Sequence, residues 1–161
     1  MRDKTRLYAT SIAIGIAAVV VACAERNAAS AERMLTVPLS ATSVNAGEIG
    51  RGFLIARGEE TVVVVEVSGV PPMLASRPVH LYTFIHSGRC GSLVEPPAFA
   101  LTARVLADSP RGGGALPMTG PFRVSNVAPV PLEALRGGGH AILIRTSPAD
   151  GGREIFCGNV D

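Results

Sequence analysis

Short runs of β-branched and apolar residues, each cut off by Gly, Pro or Asn, fill this chain from residue 34 to its end. That punctuation constrains the fold more than any other feature. An amphipathic helix needs an apolar stripe sustained at 3.6-residue spacing, and no such stripe survives the interruptions. Thr61-Val62-Val63-Val64-Val65-Glu66-Val67 is the clearest segment. Branching at Cβ suits a pleated surface and hinders a helix. Strand alternation aims Val63, Val65 and Val67 at a core and Glu66 at solvent. Further strands are expected at residues 34–39, 52–56, 78–86, 101–107, 122–127, 140–146 and 153–158. Turn clusters separate them at residues 45–47, 57–58, 69–72, 111–114, 136–139 and 149–152. Residues 131–135 fit one helical turn. Short strands at this spacing predict an all-β sandwich or barrel.

The first 33 residues are of another kind. Arg2, Lys4 and Arg6 give a basic start, and residues 7–22 carry no charge. That apolar run is shorter than the roughly 20 residues a spanning helix needs. It ends in Val20-Val21-Ala22-Cys23, which resembles the cleavage box of bacterial lipoproteins. The resemblance implies cleavage before Cys23 and lipid on its sulfur; an uncleaved N-terminal anchor is the alternative. Several acyl chains hold a protein stably to a membrane. Ala24 follows the cysteine, and in such lipoproteins the lack of Asp there implies passage to the outer membrane, facing the periplasm. The expected organisation is a signal peptide over residues 1–22, a lipidated Cys and tether over 23–33, and one β domain over 34–161.

Charge bears on partners. The signal removes Arg2, Lys4, Arg6 and Asp3, so the remaining 139 residues carry 12 bases and 12 acids, against 15 and 13 in the whole chain. A neutral domain lacks the clustered basic face that nucleic acid requires. With Cys23 lipidated, Cys90 and Cys157 remain. In an oxidising compartment two leftover cysteines most simply form a disulfide. A thiol metal site or redox pair is the alternative, although the chain holds no Cys-x-x-Cys.

Chemistry-bearing residues cluster in Val79-His80-Leu81-Tyr82-Thr83-Phe84-Ile85-His86, followed by Ser87-Gly88-Arg89-Cys90-Gly91. Alternation sets Leu81, Thr83 and Ile85 on one face and His80, Tyr82, Phe84 and His86 on the other. The far end reads Gly151-Gly152-Arg153-Glu154-Ile155-Phe156-Cys157-Gly158. Together these segments resemble the copper–zinc superoxide dismutases. That family has a Gly-Leu-Pro-Pro turn, a strand ending Phe-His-x-His, then Gly and Cys. Later come a strand ending in His, a Gly-rich loop and an Arg shortly before Cys-Gly. The chain matches with Gly69-Val70-Pro71-Pro72, with Phe84-Ile85-His86 and Cys90, and with Gly151-Gly152 and Cys157-Gly158. Leu132-Glu133-Ala134-Leu135-Arg136-Gly137 is similar to the family's Leu-x-x-Leu-Lys-Gly. The resemblance covers most of residues 37–160. It implies an eight-stranded Greek-key β-barrel, similar to a sandwich in its layering, with a Cys90–Cys157 bridge.

The departures fall on the metal ligands. The family holds copper with four His, one shared with zinc. Here Phe84 stands at the first place of the His-x-His pair, and only His86 remains. The late copper His falls at Arg145. Residues 91–139, where the family's zinc ligands lie, contain no His, and Glu95 and Asp108 are the nearest acids. Two isolated carboxylates do not make a zinc site. The Arg that guides superoxide has Glu154 in its place, with Arg153 beside it. A redox copper needs several converging imidazoles, and this chain lacks them at the family's positions.

The three His are His80, His86 and His140. His80 and His86 lie six residues apart on one strand face, about 20 Å at strand spacing, too far to share an ion. His140 opens another strand, and Met73 and Met118 offer soft ligands. The bland reading makes these His surface or loop residues and the Met packing; the sharper one makes them a weak copper site. Residues 146–158 also resemble the late Gly-Gly-Glu-Ile-Arg-Gly of the CHRD domain, a second, β-rich, extracytoplasmic family. Arg111-Gly112-Gly113-Gly114 and Arg136-Gly137-Gly138-Gly139 lack the Gly-Lys-Ser/Thr of a phosphate loop and read as turns. The expectation is a lipid-anchored envelope protein with a non-catalytic superoxide dismutase-like domain. Its role is structural or in binding an envelope partner, without a cofactor; the alternative is a copper-binding or dismutase-related metalloprotein with an altered site.

Overall fold

The computed structural model of the chain describes residues 33–73, 75–108 and 120–161. The expected export signal, Cys23, the expected tether through residue 32, the turn expected at 111–114 and Met118 lie outside the described residues. Leu35–Asp161 form one compact unit. Its strands are β1 (Met34–Ala41), β2 (Ile49–Arg57), β3 (Glu60–Val67), β4 (Tyr82–Arg89), β5 (Ser92–Leu93), β6 (Phe99–Leu101), β7 (Phe122–Ala128), β8 (His140–Arg145) and β9 (Glu154–Val160). One helical turn, α1 (Leu132–Leu135), buries both its leucines.

The strands join in the order β5-β4-β8-β9-β1-β2-β3-β7, with β6 also on β4. The antiparallel sheet curls into a half-barrel. The β2–β3 turn is Gly58-Glu59, flanked by the Arg57–Glu60 pair. Gly58 has φ 62, and only glycine enters that region freely at the first position of such a loop. Curvature has a local cause on β2. A Cβ on Gly52 would meet Ile142 of β8 at 3.0 Å, and one on Gly50 would meet Phe156 of β9 at 3.1 Å. Bare backbone at both places lets the opposite wall close in. Long connections, from β3 to β4, from β6 to β7 and from β7 to β8, carry the chain between sheet positions that are not neighbours.

Inward residues alternate as the valine run requires. Val63, Val65 and Val67 of β3 are buried beside Leu54, Leu81, Ile85, Phe122, Val124, Ile142, Ile144, Ile155 and Phe156. Each such side chain contributes about 1.5–3 kcal/mol on leaving water. Thr61 is buried too, and its hydroxyl donates to the Val130 carbonyl at 2.8 Å. That bond ties β3 to the segment leading into α1.

Three local expectations change. The strand expected at 78–86 starts at Tyr82 and runs on to Arg89. His80 forms only an isolated bridge to Leu106, because Leu81 and Val79 bond to Val105 and Ala107 instead of to β8. Beyond His86 the strand continues into a hairpin with β5, turned at Gly91 (φ 91); two residues, Ser92-Leu93, are too few to show a strand alternation. The strand expected at 101–107 divides into β6 and two bridges, Leu106 to His80 and Asp108 to Arg123. Between them the Asn126 side chain takes both backbone groups of Arg104, so the ladder cannot continue there.

Candidate functional site

Strand β4 has two buried faces near its end, where alternation gives only one. Thr83 and Ile85 point into the core, and His86 on the opposite face is 1% exposed. The expectation of a surface or loop His86 is therefore corrected. In register, Phe84 faces Leu143 and His86 faces Ala141, both buried residues of β8. Neither Leu143 nor Ala141 belongs to the interior cluster. They form a thin outer layer, covered by the chain that leaves β4. Residues 90–98 are held over it by the Cys90–Cys157 disulfide, with 5.9 Å between the Cα atoms. Cys90 N–H also donates to Asn159 Oδ1 at 2.8 Å, and Val94 N–H to the Ser87 carbonyl at 2.9 Å.

That covering chain sets the state of the imidazole. His86 Nδ1 lies 3.1 Å from the Val94 carbonyl oxygen. A carbonyl only accepts, so Nδ1 carries a proton and donates to it. Nε2 is buried and has no partner among the described residues. An unpaired buried polar atom costs about 1–3 kcal/mol, so this position retains a polar atom that packing does not require. A backbone carbonyl on one ring nitrogen and no partner on the other is the arrangement in which imidazole ligates metals.

Arg145 closes the site on the adjacent strand. A bulge between Ile144 and Arg145 shifts the β8–β9 register and sets Arg145 opposite Glu154. Its Nη2 lies 2.8 Å from Glu154 Oε1 and 3.4 Å from Glu95 Oε1. Its guanidinium carbon sits 5.7 Å from the centroid of the Phe84 ring, a cation–π contact. Phe84 in turn is 6.3 Å from the His86 ring, and Glu95 Oε1 is 3.9 Å from His86 Nδ1. Phe84, His86, Glu95, Arg145 and Glu154 thus make one contiguous cluster: two carboxylates, one guanidinium, one imidazole and a ring.

The other sequence candidates lie elsewhere. His140 faces Ser87, one rung from the His86–Ala141 pair, so its side chain leaves the opposite face of the sheet. Its Nδ1 is buried without a partner among the described residues. His80 sits at the Leu106 bridge, at the other end of the strand. Met73 is 91% exposed, contrary to its expected role in packing. Asp108 exchanges backbone bonds with Arg123, and the Arg153 backbone bonds Thr146. Among the described residues no group of three or more His, Cys, Asp or Glu gathers as metal ligands would.

These donors do not fit a dismutase copper. One imidazole is present where four are needed, and the guanidinium of Arg145 lies beside it. Its positive charge opposes a divalent cation, and it engages both nearby carboxylates. The sequence carried the departures at Phe84 and Arg145 but not their joining with Glu154, which depends on the β8 bulge. No family model, curated protein or solved structure matches the chain.

Proposed function

We propose that this chain is a lipid-anchored envelope protein whose β domain descends from the copper–zinc superoxide dismutase arrangement and serves in binding rather than catalysis. One observation carries the reading: Phe84 and Arg145, which the resemblance sets at two ligand positions, lie beside His86 in a salt-bridged and stacked cluster. In that cluster the guanidinium pairs with both carboxylates, which leaves neither free to hold a metal. Two further features support the ancestry. Cys90 and Cys157 are bonded where the family's bridge is expected. The crossing connections of β3 to β4 and β7 to β8 give the out-of-sequence neighbours of a Greek key.

The anchor reading rests on the Val20-Val21-Ala22-Cys23 box and the oxidised pair downstream. A second reading, a copper-binding protein, is favoured by the buried His86 Nε2, which has no hydrogen-bond partner among the described residues. Loading with Cu(II) and Zn(II) separates the two. The full chain in detergent is incubated with both ions, dialysed against chelator and assayed for metal and superoxide turnover. A binding module retains neither ion and shows no turnover. Stoichiometric copper without turnover establishes the second reading, and copper with turnover overturns both.

A further inference from the structure

The strap over His86 is held by little besides one covalent bond. Between residues 91 and 98 none is buried, and only Leu93 and Pro97 are half-buried. Val94, whose carbonyl meets the imidazole, is itself 56% exposed. The strap's other ties are the short β5 hairpin, the Val94–Ser87 and Cys90–Asn159 bonds, and the exposed Glu95–Arg145 pair at 3.4 Å. Its far end passes into β6, which pairs with β4, so the bridge is the tie at its near end. A segment with no buried apolar side chain and solvent-facing bonds opens at low cost. What it covers is the reverse: His86, Ala141 and Leu143 are each buried to 1% exposure or less.

The bond is also within reach of solvent. Cys90 and Cys157 are both half-buried, and with Pro38, Ser40, Thr42 and Asn159 they line an open groove of about 360 Å³. An accessible bridge is open to a thiolate from outside, whereas a buried one waits for the fold to open. Cutting it leaves the sheet its own ladders. Strand β8 pairs with β4 on one side and β9 on the other along its whole length. The interior cluster contains none of His86, Ala141 and Leu143, so losing their cover does not open the core.

We propose that the Cys90–Cys157 bridge is a redox latch: a dithiol donor reduces it in the folded protein, the strap lifts, and His86, Ala141 and Leu143 become a surface that a ligand can reach. A donor thiolate attacks one bridge sulfur, the Sγ–Sγ bond breaks, and the other cysteine leaves as a thiolate. The donor's second thiolate then displaces the first cysteine from the mixed disulfide. Two electrons pass to the protein, the donor becomes a disulfide, and its two protons go to the cysteine thiolates. The oxidised state hides the imidazole and the reduced state presents it, a thiol–disulfide switch. The latch regulates the binding role proposed above and rests on that reading; it needs neither the anchor nor the ancestry.

The test adds dithiothreitol to the oxidised full chain in detergent, at neutral pH without denaturant, and traps free thiols by alkylation over time. Reduction is expected to be about tenfold or more faster than global opening, read from hydrogen exchange at the Val63 and Val65 amides. Diethyl pyrocarbonate should then modify His86 about tenfold or more faster than in the oxidised chain, as mapped by mass spectrometry, while those amides stay protected. Cys90→Ser with Cys157→Ser should give the same His86 reactivity with no donor present. Reoxidation of the reduced chain should restore the slow rate. A reduced Cys-x-x-Cys protein, run beside dithiothreitol at equal thiol concentration, separates a protein donor from a small one by rate. The proposal is overturned by reduction no faster than global opening, or by a His86 that stays unreactive once the bridge is cut. It is also overturned if reduction strips protection from Val63 and Val65, which would make the bridge a support of the whole fold. Metal loading is measured on the oxidised chain, so a retained ion leaves the latch to its own test, and a bridge that stays shut leaves the non-catalytic reading standing.

Discussion

At the scale of the residue, His86 is the position where packing and chemistry disagree. It is buried, yet one ring nitrogen meets nothing among the described residues. Its one bond, to Val94, is worth about 1 kcal/mol, and its orphaned Nε2 costs a similar amount. His86→Leu should therefore change unfolding free energy by less than about 1 kcal/mol in a denaturant titration. Its neighbour Leu143 is equally buried but wholly apolar, and Leu143→Ala should cost about 2–5 kcal/mol in the same titration. A large loss at His86 would show that a hidden partner satisfies Nε2. The placing of Phe84 and His86 on one strand face was legible in the sequence, because both lie in one alternating run. The burial of His86 was not: alternation assigned it to the outer face, and the cover comes from residues 90–98, which carry no strand or helix pattern.

At the scale of the element, the disulfide fastens that cover. Cys90 and Cys157 lie 67 residues apart in sequence. In the chain-entropy account, cross-linking a loop of that length stabilises the fold by about 4 kcal/mol. Cys90→Ser with Cys157→Ser should lower the denaturant midpoint accordingly, and hydrogen exchange should rise first at residues 87–98. The β1–β9 contact is tight as well. A Cβ on Gly158 would fall inside contact distance of the Pro38 carbonyl oxygen and the Leu39 side chain. Gly158→Ala should cost about 1–3 kcal/mol by thermal melting, with β1 fraying from β9. Strands β1, β3, β7 and β8 were readable because each combines β-branched or apolar residues with a turn signal. The 99–108 segment was misread because an asparagine, not a strand, claims Arg104. Side-chain substitution for a ladder leaves no periodic trace.

At the scale of the whole molecule, the all-β class and the bridge were legible from punctuation and cysteine count. The order of strands around the half-barrel was not, since crossing connections leave no mark in the sequence. The proposed anchor belongs to this scale too. Cys23→Ala should yield an unacylated chain that leaves the membrane fraction, read by fractionation and intact mass; a product still acylated and membrane-bound contradicts the anchor. The central proposal is that the Phe84, Arg145 and Glu154 cluster beside His86 holds no metal and leaves the imidazole a bystander. Its most direct test is the ¹⁵N resonance of His86 Nε2 in the full chain during titration with excess Zn(II). The account predicts a protonated Nδ1 and an Nε2 resonance unmoved throughout. A saturable shift of Nε2, complete near one equivalent of zinc, would contradict it.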